Sequence, residues 1–218
     1  NWAPLSWTEV EVRTAEDLLL EAQYLCQVYT GATATEGSVK ALADQESSPH
    51  LLHLATHGYF FPSQEGENNN NSIPYSESTN AMIRSGLILA DGNYAWRYGR
   101  PRQPEAEDGI LTAYEVSQLD LAETELVVLS ACETGLGEIR ATEGVYGLQR
   151  AFKIAGTQYI IMTLWQIPDF ETQTFMSTFY LAWLDEGKSI PEAFQAAQAY
   201  MRARYDSPFQ WAPFVLLE

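Results

Sequence analysis

The sequence predicts an α/β domain, with a largely parallel sheet and helices on both of its faces. Three observations carry that prediction. Residues 50–56, 126–131 and 159–165 are short, bounded apolar runs without polar alternation, the pattern of strands buried on both faces. Segments of helical periodicity lie between and after them, and strands alternating with helices imply parallel pairing through crossovers. At 218 residues, 46% of them apolar, the chain can bury a sizeable core as a single domain spanning 1–218.

The elements follow in order. Residues 8–22 have helical composition, with Val10, Leu18, Leu19 and Ala22 as core contacts. Residues 25–29 read as a short strand ended by Thr30 and Gly31, with Cys26 as a small buried side chain. Thr35 can cap a helix reaching residue 43. Residues 50–56 form the first strongly buried strand. Residues 62–109 are a long loop region with asparagines at 68–71, and a loop of that length in a compact domain points to function or disorder. A strand and turn at 86–92 interrupt it. A short helix covers 112–119, and the second buried strand covers 126–131. Residues 143–155 are amphipathic, with Val145, Leu148, Phe152 and Ala155 on one face and Gly156 as the stop. The third strand is 159–165. A long helix over 169–185 closes at Gly187. Ser189, with Glu192 three residues on, is a capping box that opens a helix to about residue 204. A final strand covers 214–217. No internal repeat is visible.

Charge and cysteine usage bound the partners. The 29 acidic side chains against 12 basic ones give a net charge of −17. That field repels phosphate backbones and anionic membranes, which excludes nucleic acid and membrane as partners of this segment. It favours a cationic peptide, although plain solubility would explain the same numbers. Cys26 and Cys132 are far apart and lack metal-type spacing, so a secreted disulfide scaffold is excluded and a reducing cytoplasm is expected. No secretory signal and no run of about 18 apolar residues appears. A first residue Asn1 and an end directly after an apolar run read as a segment of a longer protein.

Chemistry concentrates at two strand ends. His57, followed by Gly58, lies just past the first buried strand, and Cys132 follows the second, with Gly135 and Gly137 beyond it. The carboxyl ends of strands in an open α/β sheet are where such folds bind ligands. Imidazole and thiol at two such ends describe a cysteine nucleophile and its base, whereas a lone buried cysteine would be only a small hydrophobe. His53 and His57 are four apart, as in helical zinc sites, but Leu54 stands where such a motif needs glutamate and the segment reads as strand. No metal or cofactor is expected, and His50 and His53 read as structural. Gly135 and Gly137 lack the lysine and hydroxyl of a phosphate loop.

The stretches His53-Leu-Ala-Thr-His57-Gly58, Ser130-Ala-Cys132-Glu-Thr-Gly135-Leu-Gly137 and Glu143-Gly-Val-Tyr-Gly-Leu-Gln-Arg-Ala-Phe152 resemble the CHAT family. So do Thr163-Leu-Trp165, the pair Phe179 and Tyr180, and the closing Trp211-Ala-Pro-Phe-Val-Leu216. The resemblance runs in order from residue 5 to residue 218. It implies kinship with caspases, separases, metacaspases and gingipains. The implied fold is caspase-hemoglobinase-like, a three-layer α/β/α sandwich on a mostly parallel six-stranded sheet. The family's first core strand would precede the helix at 8–22, where nothing suitable stands, so that strand is expected upstream of residue 1.

The implied activity is that of a cysteine endopeptidase acting on a protein substrate. Cys132 would attack the scissile carbonyl as thiolate, and His57 would carry the proton to the leaving amine. Backbone N–H groups of Gly58 and Cys132 would hold the oxyanion. Relatives build the specificity pocket from positions that here hold Ser130, Trp165, Gln166 and Asp169. Trp165 reads equally as pocket wall or core, and Asp169 as a pocket acid or a helix N-cap. Asp91 is an alternative acid that also fits a turn. Basic and apolar preferences both stay open. The resemblance also implies that the chain is the C-terminal part of a longer protein, behind an upstream tetratricopeptide or sensor domain that regulates the site, and the loop at 62–109 is a candidate for ordering on activation. The competing reading is a catalytically silent CHAT interaction or scaffold module.

Overall fold

The computed structural model describes residues 2–3, 5, 8–43, 47–61, 75, 78, 80–130, 142–165 and 167–218, with backbone alone at 142–146 and 169. Cys132, Gly135, Gly137, Gln166 and the asparagine-bearing stretch 62–74 lie outside the described residues. The chain runs α1 (Thr8–Glu21), α2 (Glu36–Ala43), β1 (Leu51–Ala55), β2 (His57–Phe60), β3 (Ser85–Ile88), α3 (Gly92–Tyr98), β4 (Ile110–Thr112), α4 (Ala113–Val116), β5 (Leu126–Ser130), α5 (Thr142–Ala155), β6 (Tyr159–Thr163), α6 (Asp169–Tyr180), α7 (Ile190–Arg204) and β7 (Phe214–Leu217).

The three apolar runs become the centre of one sheet. Its order is β1, β5, β6, β7, with the first three parallel and β7 antiparallel to β6. In β5, Leu126, Val127, Val128 and Leu129 are all buried, because neighbours cover both edges and helices cover both faces. Alternate residues feed two cores. Leu52, Leu54, Val127, Leu129, Ile160 and Met162 pack with side chains of α2, α4 and α5. Leu126, Val128, Ile161 and Phe214 pack with α1, α6 and α7. Each fully buried aliphatic side chain contributes about 1.5–3 kcal/mol relative to exposure, so these two clusters dominate the stability.

A second sheet, β2, β3, β4, is antiparallel throughout. It carries its own small core of Tyr59, Ile88, Ala95 and Ile110. At Gly109, where φ is +80°, a Cβ would stand 2.3 Å from the Ala90 carbonyl oxygen, so only glycine fits.

Local signals explain the helix ends. Thr35 accepts from the Ser38 N–H at 3.0 Å. Ser189 and Glu192 form the reciprocal capping box, with the Ser189 N–H donating to Glu192 at 3.0 Å. Gly156, at φ +109°, stops α5. The helix from residue 169 is α-helical to Tyr180 and then closes through a single π turn at Leu181–Asp185.

Several expectations are corrected. Residues 25–29 form no strand: the segment has no regular structure, Leu25 is fully exposed and Cys26 is only half-buried. The apolar composition there meets no partner strand. Val10 is exposed, and the buried stripe of α1 is Glu11, Ala15 and Leu19. The long loop at 62–109 contains α3 as well as β3. The short helix at 112–119 is preceded by β4, and Thr112 serves as the N-cap of α4. Among the described residues the main sheet has four strands.

Candidate active site

The register of the sheet frames the site. Ala55 of β1 pairs with Ser130 of β5 in parallel strands. His57 lies two residues beyond Ala55 in the chain, and Cys132 two residues beyond Ser130. Cys132 itself lies outside the described residues. At Thr56 the chain leaves the main sheet, and the Thr56 hydroxyl donates to the Ile88 carbonyl, which pins the turn into β2. His57 thereby opens β2 opposite Ile88, with Gly58 opposite Leu87.

The His57 ring is half-buried. Its Nε2 donates to the Ala3 carbonyl at 2.6 Å, and its face lies 5.2 Å from the Trp2 ring. A carbonyl can only accept, so Nε2 carries the proton in this arrangement.

Beneath Ser130 lies a polar network on the α1 side of the sheet. The Ser130 hydroxyl donates to Glu11 Oε2 at 2.9 Å. Glu11 Oε1 accepts from His53 Nε2 at 3.0 Å, and His53 Nδ1 meets the Tyr180 hydroxyl at 2.9 Å. Glu11 is only 5% exposed, so its carboxylate depends on these partners for what water would otherwise supply. Burial, with the Glu11 charge adding to it, pushes the Tyr180 phenol well above its usual range and keeps it a neutral donor. His53 is thus the structural histidine the sequence implies, with both ring nitrogens engaged.

The remaining pocket candidates are placed as follows. Ser130 is buried and turned to Glu11. Trp165, just past the end of β6, donates its indole N–H to the Phe209 carbonyl at 3.0 Å and lies against the Phe209 ring. Asp169 is the first residue of α6; Pro168 holds the cap position, which corrects the N-cap assignment. Asp91 has φ +66° and pairs with Arg102 at 2.9 Å on the surface. Tyr180, Trp2 and Asn93 had no signal in the sequence as site residues. For Glu11 a hint existed in retrospect, since it lies four residues before Ala15 and eight before Leu19 on one helical stripe.

Among the described residues, one acidic grouping has metal-like spacing: Glu36, Glu107 and Glu115. The Lys40 ammonium stands among them at 2.7, 3.0 and 3.0 Å and already supplies the positive charge. Burial, helped by the neighbouring Glu115 and against the pull of Lys40, pushes the Glu36 carboxyl up to about 7.

The model of the CHAT domain matches residues 1–218, the whole chain. The chain belongs to the CHAT family. CHAT domains are part of the caspase-like clan of proteases, and the parallel strands preceding His57 and Cys132 are this CHAT domain's main sheet. Tetratricopeptide repeat protein 28 of Homo sapiens is 26% identical over 226 residues, covering 99% of this chain and 8% of its own length. The protein of the same name from Mus musculus is 26% identical over 230 residues, covering 99% of this chain and 9% of its own. The CHAT domain therefore spans under a tenth of the relatives it matches. Among the described residues no helix is long and apolar enough to cross a membrane.

Proposed function

We propose that this CHAT domain is a cysteine endopeptidase, with Cys132 as nucleophile and His57 as proton carrier. The observation that supports it best is the Ala55 and Ser130 pairing: two adjacent parallel strands end in register, each two residues short of one member of the pair. The half-buried His57 ring bonds a main-chain carbonyl, that of Ala3, a kind of partner that a substrate backbone could replace. In this reading the Cys132 thiolate attacks the scissile carbonyl carbon. The oxyanion takes N–H bonds from Gly58 and Cys132, and His57 delivers its proton to the departing amine. The four-stranded sheet would be the larger part of a six-stranded caspase-hemoglobinase sandwich.

Ser130, Trp165 and Asp169 border the pocket in the same reading, with Ser130 fixed through Glu11 rather than free to face a substrate. The names of the relatives support a tetratricopeptide region upstream, which would regulate the site in a cytoplasmic protein.

Alkylation tests the nucleophile without a known substrate. Cys26 is held above the usual thiol range by burial, so it reacts slowly. Iodoacetamide at neutral pH should modify Cys132 at least about tenfold faster than Cys26, read by peptide mass spectrometry. Equal rates in the Trp2→Ala chain, where His57 is uncovered, would count against an activated thiol.

A further inference from the structure

Residues 2–3 sit on His57 in a manner that proteins use to hold peptides. The Trp2 backbone N–H donates to Asn93 Oδ1 at 2.8 Å, and Asn93 Nδ2 donates to the Trp2 carbonyl at 2.9 Å. One side-chain amide thus pairs with both backbone groups of a single residue, 91 positions away in sequence. That arrangement recognises main chain whatever the side chain, as strand addition does, and leaves selectivity to the neighbouring pocket. The next carbonyl, that of Ala3, accepts from His57 Nε2.

The pocket is aromatic. The Trp2 ring lies 5.2 Å from His57 and 5.2 Å edge-on from Trp96. Trp96 is itself stacked on Phe61 and set edge-on to Tyr59. Edge-to-face geometry suits a flat ring and adds to the burial of its area. The fit is imperfect at one atom: Trp2 Nε1 is buried with no hydrogen-bond partner among the described residues. An orphaned buried donor is a desolvation penalty, so Trp2 is an occupant that a better ligand can displace.

We propose that His57, Asn93 and Trp96 form a peptide-binding subsite for an extended segment carrying an aromatic side chain, and that residues 2–3 occupy it in the resting chain. This rests on the peptidase reading in one respect only, that His57 belongs to the active site. The segment would then block substrate in cis, and a substrate with an aromatic residue beside its scissile bond would compete for the same amide and rings. The acidic chain further favours a peptide that is basic elsewhere along its length.

The test is a binding measurement in the Cys132→Ala background, where nothing can be cleaved. The probe is a fluorescein-labelled peptide of the chain's own first five residues, Asn-Trp-Ala-Pro-Leu, read by anisotropy. Trp2→Ala is expected to bind it at least tenfold more tightly than the chain with Trp2 intact. Adding Asn93→Ala is expected to return affinity to the intact level, and a peptide with alanine in place of tryptophan is expected to bind at least tenfold more weakly. Trp2→Leu serves as the second variant if circular dichroism shows Trp2→Ala unfolded, with the same order expected. Affinity that ignores Trp2, or tight binding that survives Asn93→Ala, overturns the proposal. The peptidase reading is judged separately, by products that depend on Cys132. Loss of those products leaves a peptide-binding site without chemistry, whereas loss of binding alone removes only the subsite.

Discussion

At the scale of single residues, Glu11 is the side chain on which the site's underside depends. It joins α1 to Ser130 of β5 and to His53 of β1, and Tyr180 completes the chain of bonds from α6. Breaking such a network by removing one partner leaves the others buried and unpaired. Glu11→Ala is expected to cost about 3 kcal/mol in urea unfolding, and Glu11→Gln, which keeps an acceptor, about half as much. A cost for Glu11→Ala below about 0.5 kcal/mol, the range of ordinary surface changes, would show that the network is not structural. Beyond its spacing from Ala15 and Leu19, the sequence does not disclose this residue. An acid on a helix ordinarily faces water, and its partners are 42 and 119 positions away. What the sequence offers for His57 and Cys132 is position: each follows a buried run, with Gly58 directly after the first and Gly135 three residues after the second. Asn93 and Trp2 were not legible, since only tertiary structure brings residues 91 apart together.

At the scale of elements, legibility followed length and burial. The strands β1, β5 and β6 are five residues each and show as mostly apolar runs, broken in β1 only by His53. The strands β2 and β4 have four and three residues, too short for a period to register. Residues 25–29 misled because apolar composition predicts burial only where a partner strand exists. Helix ends were readable from capping chemistry, and Ser189→Ala is expected to cost about 1 kcal/mol, seen as a lower midpoint in thermal unfolding.

The α2 cluster predicts a pH effect. Glu36 has an ordinary value of 4.5 and a folded value of about 7, so the folded state binds its proton more tightly than the unfolded state does. Its contribution to stability is therefore fully present below about pH 4.5 and is lost as pH rises through about 7. Glu36→Gln should flatten that decline in urea midpoints measured across the window. An unchanged slope would mean that Lys40 keeps Glu36 ionised throughout.

At the scale of the whole molecule, two sheets divide the labour. The parallel sheet, with helices on both faces, holds the strand ends that precede His57 and Cys132. The antiparallel sheet carries His57 away from that edge and, with α3, builds the aromatic surface on which Trp2 rests. The fold class was legible because a parallel sheet buries both faces of its strands. Of the second sheet only β3 falls within the region the sequence presents as a long loop, at the strand read there over 86–92, while the short β2 and β4 flank that region. The net charge of −17 adds that salt should weaken association with any cationic partner.

The proposed peptidase stands or falls on whether Cys132 and His57 together cleave peptide bonds. Its most direct test is incubation of a diverse peptide library with the wild-type chain, the Trp2→Ala chain, and Cys132→Ala and His57→Ala variants of each. Products are then identified by mass spectrometry. New peptide termini are expected with the intact pair, more of them once Trp2 is removed, and none above background without Cys132 or His57. The same products from the Cys132→Ala protein would contradict it.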